Sequence, residues 1–217
     1  MATRQVLAEL AAAFETQSGL AVRIESVGGV DAATRVRAGE SFDVVVLAST
    51  VIDALISEEH LRGSRIDVVT SAVGIGVRAG TDRPDISSAE AVKRAVLAAR
   101  RLGYSTGPSG TYLSKLFEQW GIADAVKDKI IVAPPGVPVT SLVARGEIDL
   151  GFQQLSELAG EGVDVVGTLP PEIQSLTTFS GGVARTSSQP QAAQRLLHFL
   201  ADPRLADIKR RHLMESP

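Results

Sequence analysis

The chain opens on an amphipathic run. Val6, Leu7, Leu10, Ala13 and Phe14 recur at helical spacing over residues 3–17, and Gly19 stands where a C-terminal cap belongs. In residues 20–27 apolar Val22 and Ile24 alternate with Arg23 and Glu25, the period-2 pattern of a half-buried strand that ends at Gly28-Gly29. A helix is predicted over residues 31–38, stopped by Gly39. The stretch Phe42-Asp43-Val44-Val45-Val46-Leu47 is apolar and β-branched on both faces, as a strand covered on two sides requires. Ser49-Thr50 ends that strand, and a helix follows over residues 51–57. Residues 68–77 predict another strand, in which Gly74 and Gly76 let a neighbour come close to the backbone.

The same alternation continues. Gly80, Asp82 and Pro84 mark a turn before a helix over residues 88–99, a short strand covers 101–104, and residues 105–111 open a helix that runs to Trp120. Strands at 130–133 and 148–152 flank a helix at 139–144 that Gly146 stops. A strand at 163–166 and an extended segment at 175–185 precede terminal helices at 191–201 and 204–211. Strand and helix alternating in this way predict the α/β class, an open, mostly parallel sheet with helices on both faces. Such sheets bind ligands beyond the carboxyl ends of their strands. No internal repeat or low-complexity linker interrupts the pattern, so two lobes sharing crossover strands suit the chain better than domains in series.

Composition narrows the function classes. With 44% hydrophobic and 22% charged residues, the 217-residue chain has the usage of a folded globular protein rather than a disordered one. A formal net charge of −3 and the lack of any Lys/Arg run give no general attraction to nucleic acid. The absence of cysteine excludes disulfides, thiolate metal sites and cysteine nucleophiles. No apolar stretch reaches the roughly 18 residues that would predict a transmembrane segment. Met1-Ala2-Thr3-Arg4-Gln5 is not a basic-then-apolar leader, so the chain as written reads as cytoplasmic, and as periplasmic if an upstream export signal has been removed.

Three stretches carry a resemblance to a known family. They are the helix Leu7-Ala8-Glu9-Leu10-Ala11-Ala12-Ala13-Phe14-Glu15 with Gly19 after it; the turn Val27-Gly28-Gly29-Val30 followed by Arg37-Ala38-Gly39-Glu40 and residues 42–49; and Val143-Ala144-Arg145-Gly146-Glu147-Ile148-Asp149-Leu150-Gly151-Phe152. In order and spacing, over about residues 5 to 205, the chain resembles the class II, molybdate-type solute-binding proteins. The resemblance implies a two-lobed periplasmic-binding-protein-like fold with a ligand cleft between the lobes. One lobe is then residues 1–75 plus 178–217 and the other 76–177. In that family a strand precedes the first helix; here it is missing from the sequence, which points to a truncation or a misplaced start.

What the resemblance implies for chemistry is a small anion held by backbone N–H groups, hydroxyls and helix N-termini, with no cofactor and no metal. The residues at the matching places are Thr3, Gly28, Gly29, Val30, Ser49 and Thr50 in one lobe, and Ser105, Thr106, Ser109, Gly110 and Thr111 in the other. A helix start suits this task because it offers unpaired N–H donors and about half a positive charge. Taken singly, each serine or threonine reads as an ordinary N-cap; their convergence favours a site. Members often carry a tyrosine where this chain has Gln154, beside Gln153. An amide differs from a phenol in reach and shape, so the anion stays open between an inorganic oxyanion and an organic carboxylate.

Other side chains read as structural. Arg35 and Arg37 suit a solvated helix face and Asp31 a helix cap. His60, His198 and His212 have no metal-ligand spacing, and Gly103-Tyr104-Ser105-Thr106-Gly107 is neither a nucleophile elbow nor a phosphate loop. The leading expectation is therefore reversible anion binding, with an ABC transporter permease as partner and no catalytic residue assigned. The alternatives are a cytoplasmic isomerase of an unsaturated carboxylate such as aconitate, as some proteins of this family are, and an effector-binding sensor module.

Overall fold

The protein is described by a computed structural model covering residues 1–134 and 137–217. In chain order its main elements are α1 (Arg4–Ser18), α2 (Gly29–Arg37), β1 (Val44–Ala48), α3 (Ser49–Ser57), β2 (Leu61–Arg78), α4 (Ala89–Ala98), β3 (Leu102–Ser105), α5 (Pro108–Gln119), α6 (Ala123–Val126), β4 (Ile130–Ala133), α7 (Val139–Ala144), β5 (Leu150–Gln154), α8 (Leu155–Leu158), β6 (Val163–Thr168), β7 (Leu176–Ala184), α9 (Pro190–Ala201) and α10 (Ala206–Arg211). Among the described residues no helix is long and apolar enough to cross a membrane. The chain divides into two compact units, Met1–Ser71 with Thr178–Pro217, and Ala72–Thr177. Both β2 and β7 run through a unit boundary, so each contributes backbone to both.

In the first unit, β7 lies between β1 and β2, and β1 pairs with it antiparallel, Val44 opposite Val183. Helix α1 buries the stripe Val6, Leu7, Leu10, Ala11 and Phe14 and ends at Gly19, whose φ of 72° lets its N–H turn back to the Glu15 carbonyl. That stripe packs with Val68, Leu197, Leu200 and Met214, and Phe14 meets Phe199 edge-on at 5.4 Å. The strand expected over residues 20–27 does not form. Its alternating side chains supply a face, yet no described strand pairs with it; β1, at the end of the sheet order, is bonded to β7 alone. Instead the Val22 N–H donates to the Glu15 carboxylate at 2.6 Å, and Ile24 is exposed.

In the second unit the order is β6-β2-β5-β3-β4. The sheet is mixed: β3 runs parallel to both β4 and β5, whereas β2 is antiparallel to β5 and β6. Parallel neighbours need a crossover, and α5–α6 and α7 supply it. Alternation along β2 and β5 separates the two faces. Val73, Ile75, Leu150 and Phe152 point into a core with Val92, Val96, Leu113 and Phe117 from α4 and α5. The opposite face is made of glycines, against which α7 and α8 lie directly. A Cβ on Gly151 would come within 2.6 Å of Val143, and one on Gly74 within 2.8 Å of Leu158. Helix α7 stops at Gly146, where φ is 72°.

Lys209 in α10 is fully buried, and its ammonium has no hydrogen-bond partner among the described residues. Burial holds its pKa below the ordinary lysine value, with the charge of Asp202 opposing. Because the folded-state pKa is the lower one, the penalty is greatest below it and fades as pH rises toward the unfolded-state value. Lys209→Met keeps the length of the stem and removes the charge. It is expected to raise stability at neutral pH by on the order of 1 kcal/mol, or about 2–4 °C for a chain of this size, with the gain shrinking at alkaline pH. Thermal melts at two pH values check this, and a lower melting temperature at neutral pH would contradict it.

Candidate functional site

The parallel pairing of β3 decides which residues meet in the second unit. Gly103 is level with Gly151 on one side and Ile131 on the other, so two residues further on Ser105, Gln153 and Ala133 stand at one edge, the carboxyl edge of the sheet. From that edge the chain leaves β3 through Thr106 and Gly107 into α5, and leaves β5 at once into α8. The sequence-predicted residues Ser105, Thr106, Ser109, Gly110, Thr111, Gln153 and Gln154 are thus brought to one edge, within one unit.

Their individual roles differ. Gly107, not Ser109, is the N-cap of α5, and no side chain caps this helix start. Pro108 at the first position has no N–H and fixes φ for the helix. The Ser109 and Gly110 N–H groups fall in the first turn, where a helix supplies no acceptors, and no acidic residue lies there to occupy its positive end. Ser109 is 2% exposed. Gly110 is required by contact. A Cβ there would sit 1.8 Å from the Ser105 carbonyl oxygen, so the first turn of α5 lies flush against the end of β3. The Ser105 hydroxyl accepts a long, 3.4 Å contact from the Gly107 N–H, and the Thr111 hydroxyl turns back to the Gly107 carbonyl. Thr106 and Thr111 are exposed.

Gln153 and Gln154 are buried, at 4% and 2% exposure, and point to opposite faces as strand residues do. On the α7 face, Gln153 Oε1 accepts the Val139 N–H at 3.2 Å. Burial pushes the Glu157 carboxyl above the ordinary glutamate value, against the lowering effect of the Gln153 hydrogen bond. On the other face, Gln154 Nε2 donates to the Thr177 hydroxyl at 2.9 Å, and Gln154 Oε1 is buried without a partner. Turning that amide by 180° would let Thr177 donate to Oε1 and leave the NH2 group free to donate to an anion. Sequence reasoning missed Glu157 and Thr177. Neither had a local signal: Glu157 lies on a four-residue helix, and Thr177 is 23 residues from its partner Gln154.

In the first unit the predicted residues fall at three helix starts. Gly28 is the N-cap of α2 and Gly29 its first residue, and a Cβ on Gly29 would lie 3.9 Å from Leu47 at the end of β1. The start of α2 therefore lies beside the end of β1, where Ser49 and Thr50 begin α3. Asp31 is inside the first turn of α2 rather than at its cap, so that helix start already holds a negative charge. Val30 is 69% exposed. The first turn of α3 has no acidic residue and no side-chain cap. Thr3 precedes α1, is 8% exposed, and accepts the Leu7 N–H through its carbonyl. Arg35 and Arg37 are engaged by carboxylates, Arg35 by Glu40 and Glu25 and Arg37 by Glu58. Among the described residues no three His, Asp or Glu side chains gather to hold a metal ion.

Over residues 1–215 the sequence matches the bacterial extracellular solute-binding protein family, and the chain belongs to that family. It is 37% identical over 201 residues to an aconitate isomerase of Pseudomonas sp., an alignment covering 89% of this chain and 76% of that protein. In fold it is similar to the periplasmic molybdate-binding protein of Azotobacter vinelandii, with a TM-score of 0.80 at 18% identity over 99% of this chain and 96% of that one. It is also similar to a binding protein of A. tumefaciens R10 in complex with agropinic acid, with a TM-score of 0.67 at 14% identity over 97% and 78% of the two chains.

The Gly110 contact generates a test. Gly110→Ala drives a methyl group into the Ser105 carbonyl, which is backbone and cannot swing aside. Overpacking of this kind costs about 1–3 kcal/mol, so a fall in melting temperature of about 2–10 °C is expected. An unchanged melting curve would show that α5 does not lie against β3 in this way.

Proposed function

We propose that this protein binds a small anion, an inorganic oxyanion or an organic carboxylate, and that the carboxyl edge of the second unit supplies a principal share of the contacts. The observation that carries this reading is the start of α5, a twelve-residue helix whose first turn presents unpaired N–H groups beside the buried hydroxyl of Ser109, with no acid nearby in the turn. Membership of the solute-binding family supports it, since that class works by reversible capture. In the first unit, taken by itself, the start of α3 with Ser49 and Thr50 has no acid in its first turn, whereas Asp31 already satisfies the positive end of α2. An ABC transporter permease is the partner this reading implies.

A second reading has an observation of its own. The 37% identity to an aconitate isomerase, over most of both chains, supports catalysis of double-bond isomerisation in an unsaturated polycarboxylate on the same site. The two readings share an anionic ligand and differ in whether it is changed. Their common requirement also favours an organic carboxylate over molybdate, in keeping with the Gln154 amide at the edge.

A thermal-shift panel of molybdate, citrate, cis-aconitate and trans-aconitate, with NMR of each organic anion after incubation, tests both. A ligand at 100 times its dissociation constant stabilises by about 2.7 kcal/mol, a shift of about 5–10 °C here. At least one anion should produce it, and a panel without any shift would contradict anion binding. Interconversion of the aconitates above the uncatalysed rate supports the isomerase; unchanged spectra leave a binder. For the stabilising anion, Ser109→Ala should weaken binding roughly tenfold, as one hydrogen bond to a charged group is worth about 1.5–3 kcal/mol. Its own melting temperature should hardly move, because Ser109 caps nothing. Unchanged affinity in calorimetric titration would remove Ser109 from the site.

A further inference from the structure

Strand β1 borders the sheet of the first unit and is bonded to β7 alone. The ladder fixes what its other side presents. In the β1–β7 register Asp43 stands opposite Ala184, whose N–H donates to the Asp43 carbonyl. Opposed residues of an antiparallel pair alternately exchange hydrogen bonds and exchange none. Val45 and Leu47 therefore turn their backbone groups toward β7, and Val44, Val46 and Ala48 turn theirs away from it. Both side-chain faces of the strand are covered. Val45 and Leu47 are buried with Ile52 and Leu55 of α3, and Val44 and Val46 pack on the cluster formed by α1 and α9. A strand laid beside β1 would continue both layers, so it must be apolar on both faces. Residues 20–27 do not fit that place, since Arg23 and Glu25 alternate with their apolar residues and no described strand pairs with them. Nor does β1 carry the residues that blunt a sheet edge: Val44–Ala48 has neither charge nor proline, and its register with β7 is unbroken.

We propose that two copies of this chain associate through β1, each pairing the free side of the strand antiparallel with the other's across a two-fold axis at Val46. In that register Val46 lies opposite Val46, Val44 opposite Ala48 and Val45 opposite Leu47. The residues that meet as hydrogen-bonded pairs, Val44, Val46 and Ala48, are those whose backbone groups point outward. The strand is thus self-complementary, as a two-fold contact requires. No charge meets a like charge, and the partner strand is apolar on both faces, as the two covered layers demand. The order β1-β7-β2 of one copy continues into the same order reversed in the other, and the contact closes on itself, leaving no edge at β1 for a third copy. This surface belongs to the first unit, so the proposal is independent of the anion site in the second.

The test is sedimentation equilibrium of the full chain over a range of concentrations, with amide hydrogen exchange followed by NMR at the two ends of that range. The average mass should fall from twice that of the chain to that of the chain on dilution. In the concentrated sample the amides of Val44, Val46 and Ala48 should be protected like those of Val45 and Leu47, and on dilution those three alone should exchange faster. Val46→Pro removes the outward N–H at the axis and takes no bond from β7, a position an edge strand tolerates; it should stay at the mass of one chain. The exchange measurement on the unaltered chain decides the matter should proline disturb the fold. A single-chain mass at every concentration overturns the proposal, and so does a dimer whose Val44, Val46 and Ala48 amides exchange alike at both concentrations. Protection of those amides in a monomer would mean that another segment of the same chain covers the edge. Growth beyond the dimer would mean an open, head-to-tail contact in place of the two-fold one.

Discussion

The site in the second unit depends on β3 pairing in parallel with β5 on one side and β4 on the other. Parallel pairing puts the carboxyl ends of three strands at one edge and forces the chain to leave that edge each time through a loop and a helix. Antiparallel neighbours would have sent alternate loops to opposite ends. Gly151 leaves β5 bare on one face, which lets α7 approach so closely that its first N–H reaches the side chain of Gln153, while Gly103, level with it in β3, makes room for Ile148. The apolar face, filled by Phe117 against Phe152 at 6.5 Å, holds α5 over the other side. Packing on both faces therefore aims the polar groups, and none of them needs a mobile loop to reach the edge.

Electrostatics then sort the candidate groups. Two carboxylates at about 4 Å repel by about 1 kcal/mol in water and about 4 kcal/mol at an effective dielectric near 20, so an acid close to an anion is a net cost unless its proton is used. Asp31 in the first turn of α2 and Glu157 beside Gln153 are both acids at places expected to favour anions. Asp31 has an ordinary task, stabilising the positive end of its own helix. Glu157 likewise lies in the first turn of its own short helix, α8. The starts of α3 and α5, free of acids in their first turns, remain the places where a negative ligand meets unopposed donors.

Much of this was legible in the residues. The β-branched runs at Ile130–Ala133 and around Val44–Ala48, and the glycine stops at Gly19 and Gly146, fix strands and helix ends by local chemistry alone. The membership of the solute-binding family was readable from the order of weak motifs along the chain. Residues 20–27 failed because a strand needs a partner as well as a pattern, and the pattern says nothing about partners. Helix α8 has four residues, fewer than the period needs to show itself, so Glu157 was hidden with it. At Gly110 the space a side chain would take is filled by the carbonyl of Ser105, a contact only the fold could reveal. The hydrogen bond from Gln154 to Thr177 links residues 23 apart that no local rule connects.

The most direct measurement is a titration of the isotope-labelled protein, following backbone amide resonances, with the anion that stabilises it most. The account predicts that within the second unit the largest shifts fall on residues 107–111 and 153–157, the start of α5 and the end of β5 with α8, and that the Ser109 and Gly110 amides move downfield as they gain an acceptor. Large shifts confined to other faces of that unit, with these amides unmoved, would contradict the placement of the anion at the carboxyl edge.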